Sequence, residues 1–193
     1  MDPLLERALA FQKLLDIEYE IVLGRKKRRT DLHIHFEPFH FHHLIGLHKL
    51  KDLYVARQNR EKVFDNILSG KLCYEMITRS RFYPGIQRRF ESFLELETLL
   101  DKNELVFRYN TKLNQFSVIE ADYLLSTLHD KREMYIFLTG ENAVDSYICS
   151  SFFPKEKMDY TKGQMRYAML YKAKRNKLTG TCEIQYDRLS WQQ

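Results

Sequence analysis

The chain has 193 residues, with 31 basic and 26 acidic side chains and a formal net charge of +5 at neutral pH. This length predicts a single domain over residues 1–193, and an apolar fraction of 44% excludes extensive disorder. The positive charge favours an anionic partner, and no apolar run approaches the roughly 20 residues that a membrane-spanning helix needs.

The cysteines are three and widely spaced, at Cys73, Cys149 and Cys182. An odd number with no C-x-x-C pair is typical of reduced, separate thiols, as in a cytoplasmic protein. We therefore expect no disulfide framework and a cytoplasmic location.

The N-terminal segment predicts a helix followed by a β-hairpin. Asp2 can cap a helix that starts at Pro3, and apolar residues keep helical spacing to residue 16. Alternating apolar residues on both sides of a basic run predict a hairpin over residues 18–36, with the basic run as its turn. That run consists of Arg25, Lys26, Lys27, Arg28 and Arg29. A solvated hairpin tip and a tip that holds phosphate are both consistent with it.

Six of the seven histidines lie between Leu32 and Asp52. The apolar spacing becomes helical from about residue 40 to residue 54. On one continuous helix, His43 and His48 would lie about 140° apart. Gly46 lies inside this predicted helix, and a close approach by another backbone or by a ligand would explain a glycine there.

The rest of the chain changes from helical to strand-like patterns. Further helices are predicted over about 59–68, 74–79 and 87–100, and strands over 134–138, 147–153, 166–174 and 181–187. We therefore predict an α+β fold. Residues 1–101 would be mainly helical, and residues 102–193 would form an antiparallel sheet of about four strands with the helices on one face.

The histidines permit two kinds of chemistry. His33 and His35 on one strand face, with His40 and His43 one helical turn apart, could present several imidazoles to a metal ion. No acidic or cysteine residue stands at a recognised ligand spacing from them, however. The chain also lacks the P-loop, G-x-S-x-G and H-E-x-x-H motifs, which argues against P-loop nucleotide hydrolysis and α/β-hydrolase chemistry.

General acid–base catalysis is the other interpretation. A ribonuclease that needs no metal uses a base for the 2′-hydroxyl proton, an acid for the leaving 5′-oxygen, and cations or hydroxyls for the charged phosphorane. His43 and His48, facing a sheet that carries serine, tyrosine and lysine, would supply these groups. For any single histidine, packing at the boundary between helix and sheet is the alternative.

Four segments resemble a known family: HLIGLHKL (His43 to Leu50), SFFP (Ser151 to Pro154), LYK (Leu170 to Lys172) and YDRLS (Tyr186 to Ser190). They are similar, over nearly the whole length, to phage- and mobile-element-associated nuclease domains of the barnase–EndoU–colicin–RelE superfamily. The resemblance implies a helical part followed by an antiparallel sheet, and a metal-independent ribonuclease activity. Relatives in the superfamily act as toxins or as effectors that cleave tRNA or mRNA. Members often carry Arg where this chain has Ser150. If that Arg binds phosphate, either another residue replaces it here or the activity is weakened.

We expect an endoribonuclease that works by transesterification without a metal ion or other cofactor. His43 and His48 would be the acid–base pair, with Ser151 and Tyr171 as hydrogen-bond donors near the scissile phosphate. Lys49 and Lys172 would stabilise phosphate charge. The RNA backbone would be held by Arg25, Lys26, Lys27, Arg28, Arg29, Lys49, Lys155 and Lys174.

The expected partners are RNA, either tRNA or mRNA, and an inhibitory antitoxin or immunity protein, with no membrane. A non-catalytic RNA-binding or interaction module on the same fold is the main alternative. It would bind RNA with a salt dependence that reflects several phosphate contacts, yet would leave no cleaved product. A metal-dependent site on His33, His35 and His40 is the second alternative.

Overall fold

The computed structural model describes residues 1–102, 105–114 and 117–190. Its α-helices are α1 (Pro3–Leu14), α2 (Pro38–Leu44), α3 (Arg60–Leu68), α4 (Tyr74–Thr78), α5 (Gln87–Glu91) and α6 (Leu96–Lys102). Its strands are β1 (Ile17–Arg25), β2 (Arg28–His35), β3 (Leu105–Arg108), β4 (Tyr123–His129), β5 (Arg132–Gly140), β6 (Ser146–Pro154), β7 (Met165–Asn176) and β8 (Cys182–Asp187). Short 3₁₀ helices occupy Leu47–Lys49, Tyr54–Ala56, Tyr83–Gly85, Ser92–Glu95 and Thr111–Leu113.

The predicted hairpin is confirmed, with a shorter turn than expected. β1 and β2 pair antiparallel, with Arg25 opposite Arg28. The turn is therefore Lys26 and Lys27 alone, both with positive φ, at 47° and 64°. Two consecutive residues in this region form the tight hairpin turn whose twist matches that of the strands. The basic run thus divides between a two-residue tip and the ends of two strands.

The strands close into a barrel. The sheet order is β1-β2-β6-β5-β4-β3-β7-β8, and β1 also pairs with β7, so seven strands form a closed ring and β8 is attached to β7. β2 and β6 run parallel, whereas the other pairs are antiparallel, so the barrel is mixed. The predicted α+β fold with an antiparallel sheet of about four strands is therefore wrong. The error arises because both hairpin strands join the later strands, which local sequence patterns do not show.

One face of the barrel strands and the helices share the main core. The Phe11 ring of α1 packs against four other phenylalanine rings at centroid distances of 5.5–6.1 Å: Phe36, Phe41, Phe64 and Phe93. A second cluster, with Phe107, Leu124, Tyr135 and Phe137, lies on the opposite face of β3, β4 and β5. Tyr160, in the loop after β6, packs on Phe137 and Phe153 and so fixes this loop on the barrel wall.

The predicted helix over residues 40–54 is broken at Gly46. α2 ends at Leu44, Gly46 has a left-handed φ of 93°, and the 3₁₀ helix Leu47–Lys49 follows. A Cβ on Gly46 would lie 2.9 Å from the Ile86 side chain. Glycine is therefore required both by the backbone conformation and by the close approach of a neighbour. That neighbour is a side chain, where a backbone or a ligand was expected.

The remaining helix predictions agree in part. α3 and α4 lie where helices were predicted, whereas the predicted helix over 87–100 is divided into α5, the 3₁₀ helix Ser92–Glu95 and α6. No helix in the described ranges is both long and apolar enough to cross a bilayer.

Candidate active site

The break at Gly46 brings two histidines together. The imidazole rings of His43, near the end of α2, and His48, in the following 3₁₀ helix, are parallel to within 6° and 3.9 Å apart between centroids. On a continuous helix they would have faced different directions. The left-handed residue between them turns the chain so that the second ring covers the first.

The stacked pair lines a cavity of about 560 Å³. We call this the histidine cavity. It lies between the α2 segment, the residues around α5, the end of β6 and the loops at 117–120 and 154–160; α2 and α5 both pack against β6. Its lining includes His43, His48, Lys49, Arg88, Arg89, Glu120, Ser151, Phe153, Glu156 and Tyr160. A concave site with a few convergent polar groups is the usual form of a small-ligand or catalytic site.

Arg89 is the buried cation of this cavity, with only 7% of its surface exposed. Its Nη2 donates to Ser151 Oγ at 3.3 Å, its Nη1 donates to the His43 carbonyl at 3.4 Å, and its Cζ lies 5.6 Å from the Phe153 ring centroid. In the described part of the chain, no carboxylate lies within ion-pair distance of it. Burial lowers the pKa of Arg89 to about 10, so it remains charged at neutral pH. A buried guanidinium without a carboxylate partner makes the cavity receptive to an anion.

The same environment disfavours protonation of both histidines. Burial, then the nearby Arg89 guanidinium, lowers the pKa of His43 to about 4. Burial, then the His43 ring, lowers the pKa of His48 to about 3. Burial and Arg89 also lower the pKa of Lys49. In the absence of an anion, both imidazoles are therefore neutral at pH 7, and each can accept a proton.

The buried ring nitrogen of His48 adds to this description. Among the described residues, His48 Nδ1 is buried and has no hydrogen-bond partner. A buried polar atom of this kind is costly in a purely structural role. His40 Nε2 and His42 Nδ1 are unpaired in the same way, so it is the position of His48 in the cationic cavity that distinguishes it from them.

Four of the predicted site residues are brought together. His43, His48, Lys49 and Ser151 all line the histidine cavity. Tyr171 and Lys172 do not. Lys172 is 2% exposed, and its Nζ donates to the Leu100 carbonyl at the end of α6. The sequence prediction grouped these two β7 residues with the histidines, whereas the structure separates them.

Two of the predicted RNA-binding lysines, Lys155 and Lys174, are engaged in ion pairs. Lys155 Nζ lies 2.6 Å from Glu133 and 2.9 Å from Asp159. Lys174 Nζ lies 2.7 Å from Glu97 and 3.1 Å from Asp101. Neither residue lines the histidine cavity.

The basic hairpin tip is also distant from the cavity. β2 runs parallel to β6 with His33 beside Ser146. The tip lies at the start of β2, and Ser151 lies towards the end of β6, so roughly 30 Å of strand separates them at about 3.3 Å per residue. A ligand would have to extend along the barrel to touch both.

The other histidines of the cluster have separate partners. His33 Nδ1 lies 3.3 Å from a Glu18 oxygen, and His35 Nε2 lies 3.0 Å from Glu141. His40 Nδ1 accepts the Glu37 backbone N–H at 3.0 Å. Across the described residues, no group of three or more His, Cys, Asp or Glu side chains is arranged to hold a metal ion.

Sequence reasoning did not identify Arg89. It lies in the segment predicted as a helix over residues 87–100, far from the histidines in the sequence. The one indirect signal was Ser150, where the similar family often has Arg. Because Arg89 contacts Ser151 from another element, it can supply the cation that this strand lacks.

Comparison with known proteins gives one match. The model of a family described as phage-Barnase-EndoU-ColicinE5/D-RelE like nuclease4 matches residues 3–189. No curated protein and no solved structure matches the chain. Since the match covers nearly the whole chain, the protein belongs to this phage-related family of barnase–EndoU–colicin–RelE-like nucleases.

Proposed function

We propose that this nuclease-family protein is an endoribonuclease that cleaves RNA by attack of the 2′-hydroxyl on the adjacent phosphate, without a metal ion. The observation that supports this most is the parallel His43–His48 pair, 3.9 Å between ring centroids, beside the buried Arg89. Two imidazoles and a cation are the groups that this reaction needs.

In the proposed reaction, one ring of the pair accepts a proton and the other donates one. One neutral imidazole takes the proton from the 2′-hydroxyl, whose oxygen forms a bond to phosphorus as the bond to the 5′-oxygen breaks. The products are a 2′,3′-cyclic phosphate and a 5′-hydroxyl, which receives its proton from the other imidazole. Two stacked rings do not readily carry two positive charges, so the pair would hold one proton during the reaction.

The acid must acquire its proton with the substrate. In the free protein the pKa values of His43 and His48, about 4 and about 3, leave both rings neutral. A phosphate beside them offsets the charge of Arg89 and favours an imidazolium. Substrate binding and protonation of one ring would therefore occur together.

Arg89 and Lys49 are the proposed stabilisers of the phosphorane. A buried guanidinium that is already in place needs little reorganisation when negative charge develops. The Ser151 hydroxyl, held at 3.3 Å by Arg89, would donate a further hydrogen bond to a phosphate oxygen. Tyr171 and Lys172 have no part in this proposal.

The substrate in this proposal is a polynucleotide, either tRNA or mRNA. The cations at the hairpin tip would contact the RNA backbone far from the cleaved bond. An inhibitory antitoxin or immunity protein that covers the histidine cavity, and action in the cytoplasm, belong to the same proposal.

The test is cleavage of total RNA by the purified protein in EDTA. The double variant His43→Ala with His48→Ala should lose activity, whereas the matched variant His33→Ala with His35→Ala should keep it, because its two histidines lie outside the cavity. Equal cleavage by wild type and by the first variant would reject the histidine assignment. Binding of RNA without any cleaved product would favour the non-catalytic alternative. Loss of activity in the second variant together with bound metal would favour a metal site on the strand histidines.

A further inference from the structure

A second cavity lies beside β7. Its volume is about 440 Å³, and it shares no lining residue with the histidine cavity. β3 pairs with β7 only at residues 165–167, and β8 pairs with it only at residues 171–175. Between these pairings, Ala168 and Met169 have β1 partners on one edge and no strand partner among the described residues on the other. The cavity occupies this gap.

The lining of the gap is strongly cationic. Lys102, Arg166, Lys172 and Arg188 line it together with one acid, Asp101. In the described ranges, no carboxylate lies within ion-pair distance of Lys102, Arg166 or Arg188. Cations around a concavity attract an anionic ligand, because the low-dielectric walls focus their field.

Asp101, the acid of this lining, already accepts hydrogen bonds from three other side chains. It accepts hydrogen bonds from Tyr19 Oη at 2.7 Å, from Gln185 Nε2 at 2.9 Å and from Lys174 Nζ at 3.1 Å. It thereby holds β1, β7 and β8 against the end of α6. The exposed cations of the gap, Lys102, Arg166 and Arg188, are available to a ligand.

The gap also carries groups that suit a nucleobase. Tyr167 and Tyr186 line it, and aromatic rings stack on bases with little regard to sequence. Gln185 gives its amide N–H to Asp101, while its buried Oε1 has no partner in the described part of the chain. An unpaired acceptor beside aromatic rings and cations matches a base that donates an N–H or amino group and is joined to a phosphate.

The gap is continuous with the basic hairpin tip. The Arg25 guanidinium carbon lies 6.0 Å from the centroid of the Tyr167 ring. The exposed cations Lys26, Lys27 and Arg28 follow directly along the chain. A polynucleotide strand with one base in the gap would therefore have its next phosphates beside the tip.

We propose that the gap beside β7 binds one nucleotide of an RNA strand, at a site separate from the histidine cavity. The inference rests on the proposed function in taking RNA as the ligand. Binding here would hold a substrate at a distance from the cleaved bond, because the gap shares no residue with the histidine cavity and the tip lies roughly 30 Å along the strands from Ser151. It favours RNAs long enough to reach both sites over short fragments.

The test measures binding of a fluorescent 2′-O-methyl RNA dodecamer, which cannot be cleaved because its 2′-hydroxyls are blocked. The variant Arg166→Glu with Arg188→Glu should bind it roughly tenfold more weakly, with a log–log salt slope reduced by about 1–2. The matched variant Lys62→Glu with Lys71→Glu has the same charge change at exposed positions outside the cavities and should bind within about twofold of wild type. Equal weakening in both variants, or none in the first, would overturn the inference.

A second measurement locates the ligand and its source. In a titration with adenosine monophosphate followed by amide NMR, the signals of Ala168 and Gln185 should shift. Shifts with the dodecamer alone would support a site for a strand and not for a free nucleotide. Shifts with neither ligand would overturn the inference. Because no readout requires cleavage, a protein that binds here but cuts no RNA would refute the proposed function and leave this inference intact.

Discussion

The imidazoles of His43 and His48 are stacked face to face, 3.9 Å apart, across a break in the helix that contains Gly46. The contact depends on a left-handed backbone at one residue. The pair, the buried guanidinium beside it and the Ser151 hydroxyl form one cavity. The chemistry proposed for the protein depends on these contacts.

Gly46→Ala should destabilise the protein and disrupt the stack. A Cβ at this position requires a strained φ and meets the Ile86 side chain at 2.9 Å. We expect a loss of about 1–3 kcal/mol in the free energy of unfolding, measured by urea denaturation. The rate of RNA cleavage should fall by more than the loss of folded protein explains.

Gly70→Ala is the matched control for that substitution. Gly70 also has positive φ, 73°, but a Cβ there would meet nothing within 4 Å. Gly70→Ala should lose only the part of the free energy of unfolding that the strained φ costs, and it should keep full cleavage activity. If both alanine variants behaved alike, the contact with Ile86 would not matter for the site.

Arg89→Met should separate activity from stability. The guanidinium is buried without a carboxylate in the described residues, so an apolar side chain of similar length should be neutral or stabilising in thermal unfolding. Loss of one preorganised donor to the phosphorane should lower kcat by about 100- to 1,000-fold. The kcat of Arg89→Lys should lie between those of wild type and Arg89→Met. Lysine keeps the positive charge but lacks the planar guanidinium that donates several hydrogen bonds at once. A Met variant that cleaves like wild type would remove Arg89 from the mechanism.

The folded protein should become less stable as the pH falls below about 6.5, the ordinary pKa of histidine. Burial lowers the pKa of His43 and of His40 to about 4, and that of His48 to about 3. The unfolded chain therefore binds more protons than the fold below pH 6.5. The free energy of unfolding that depends on these neutral histidines is fully present above pH 6.5. It is lost progressively as the pH falls to about 3.

Thermal unfolding between pH 7.5 and pH 4 tests this expectation. The Tm of His43→Gln with His48→Gln should depend less on pH than the Tm of wild type. An equal pH dependence in the wild-type protein and this variant would mean that the stacked pair does not titrate as described.

Phosphate should raise the pKa of one ring of the pair. We expect histidine NMR signals of His43 and His48 to titrate below pH 5 in the free protein, and one of them to move towards neutrality in saturating inorganic phosphate. The signal of His40, whose pKa burial also lowers to about 4 but which does not line the cavity, should respond little. No change on adding phosphate would contradict the linked binding of proton and anion.

Local patterns were informative where structure is local. Alternation of Tyr19, Ile21 and Leu23 was enough for the hairpin, and Asp2 with Pro3 was enough for the start of α1, whose N–H groups at Leu4 and Leu5 bond to the Asp2 carboxylate. The histidine pair and Ser151 were also grouped as they lie in the structure.

Local sequence patterns could not predict that the barrel closes or that Arg89 lies in the site. β1 pairs with β7, placing Ile17 beside Asn176 from the far end of the chain, and no periodicity records such a partner. The apolar spacing after residue 40 also suits a helix interrupted at Gly46, so the break was not visible in it. Arg89 reaches Ser151 through tertiary packing alone. Tyr171 and Lys172 were grouped with the histidines because the predicted sheet, with its serine, tyrosine and lysine side chains, was expected to face the histidine helix.

The most direct test of the central claim is the chemistry of the cut ends. Wild-type protein incubated with RNA in EDTA should produce 2′,3′-cyclic phosphate and 5′-hydroxyl ends, and His43→Ala with His48→Ala should produce neither, while His33→Ala with His35→Ala matches wild type. Products with 5′-phosphate ends, or equal cleavage by the stacked-pair variant, would contradict the account.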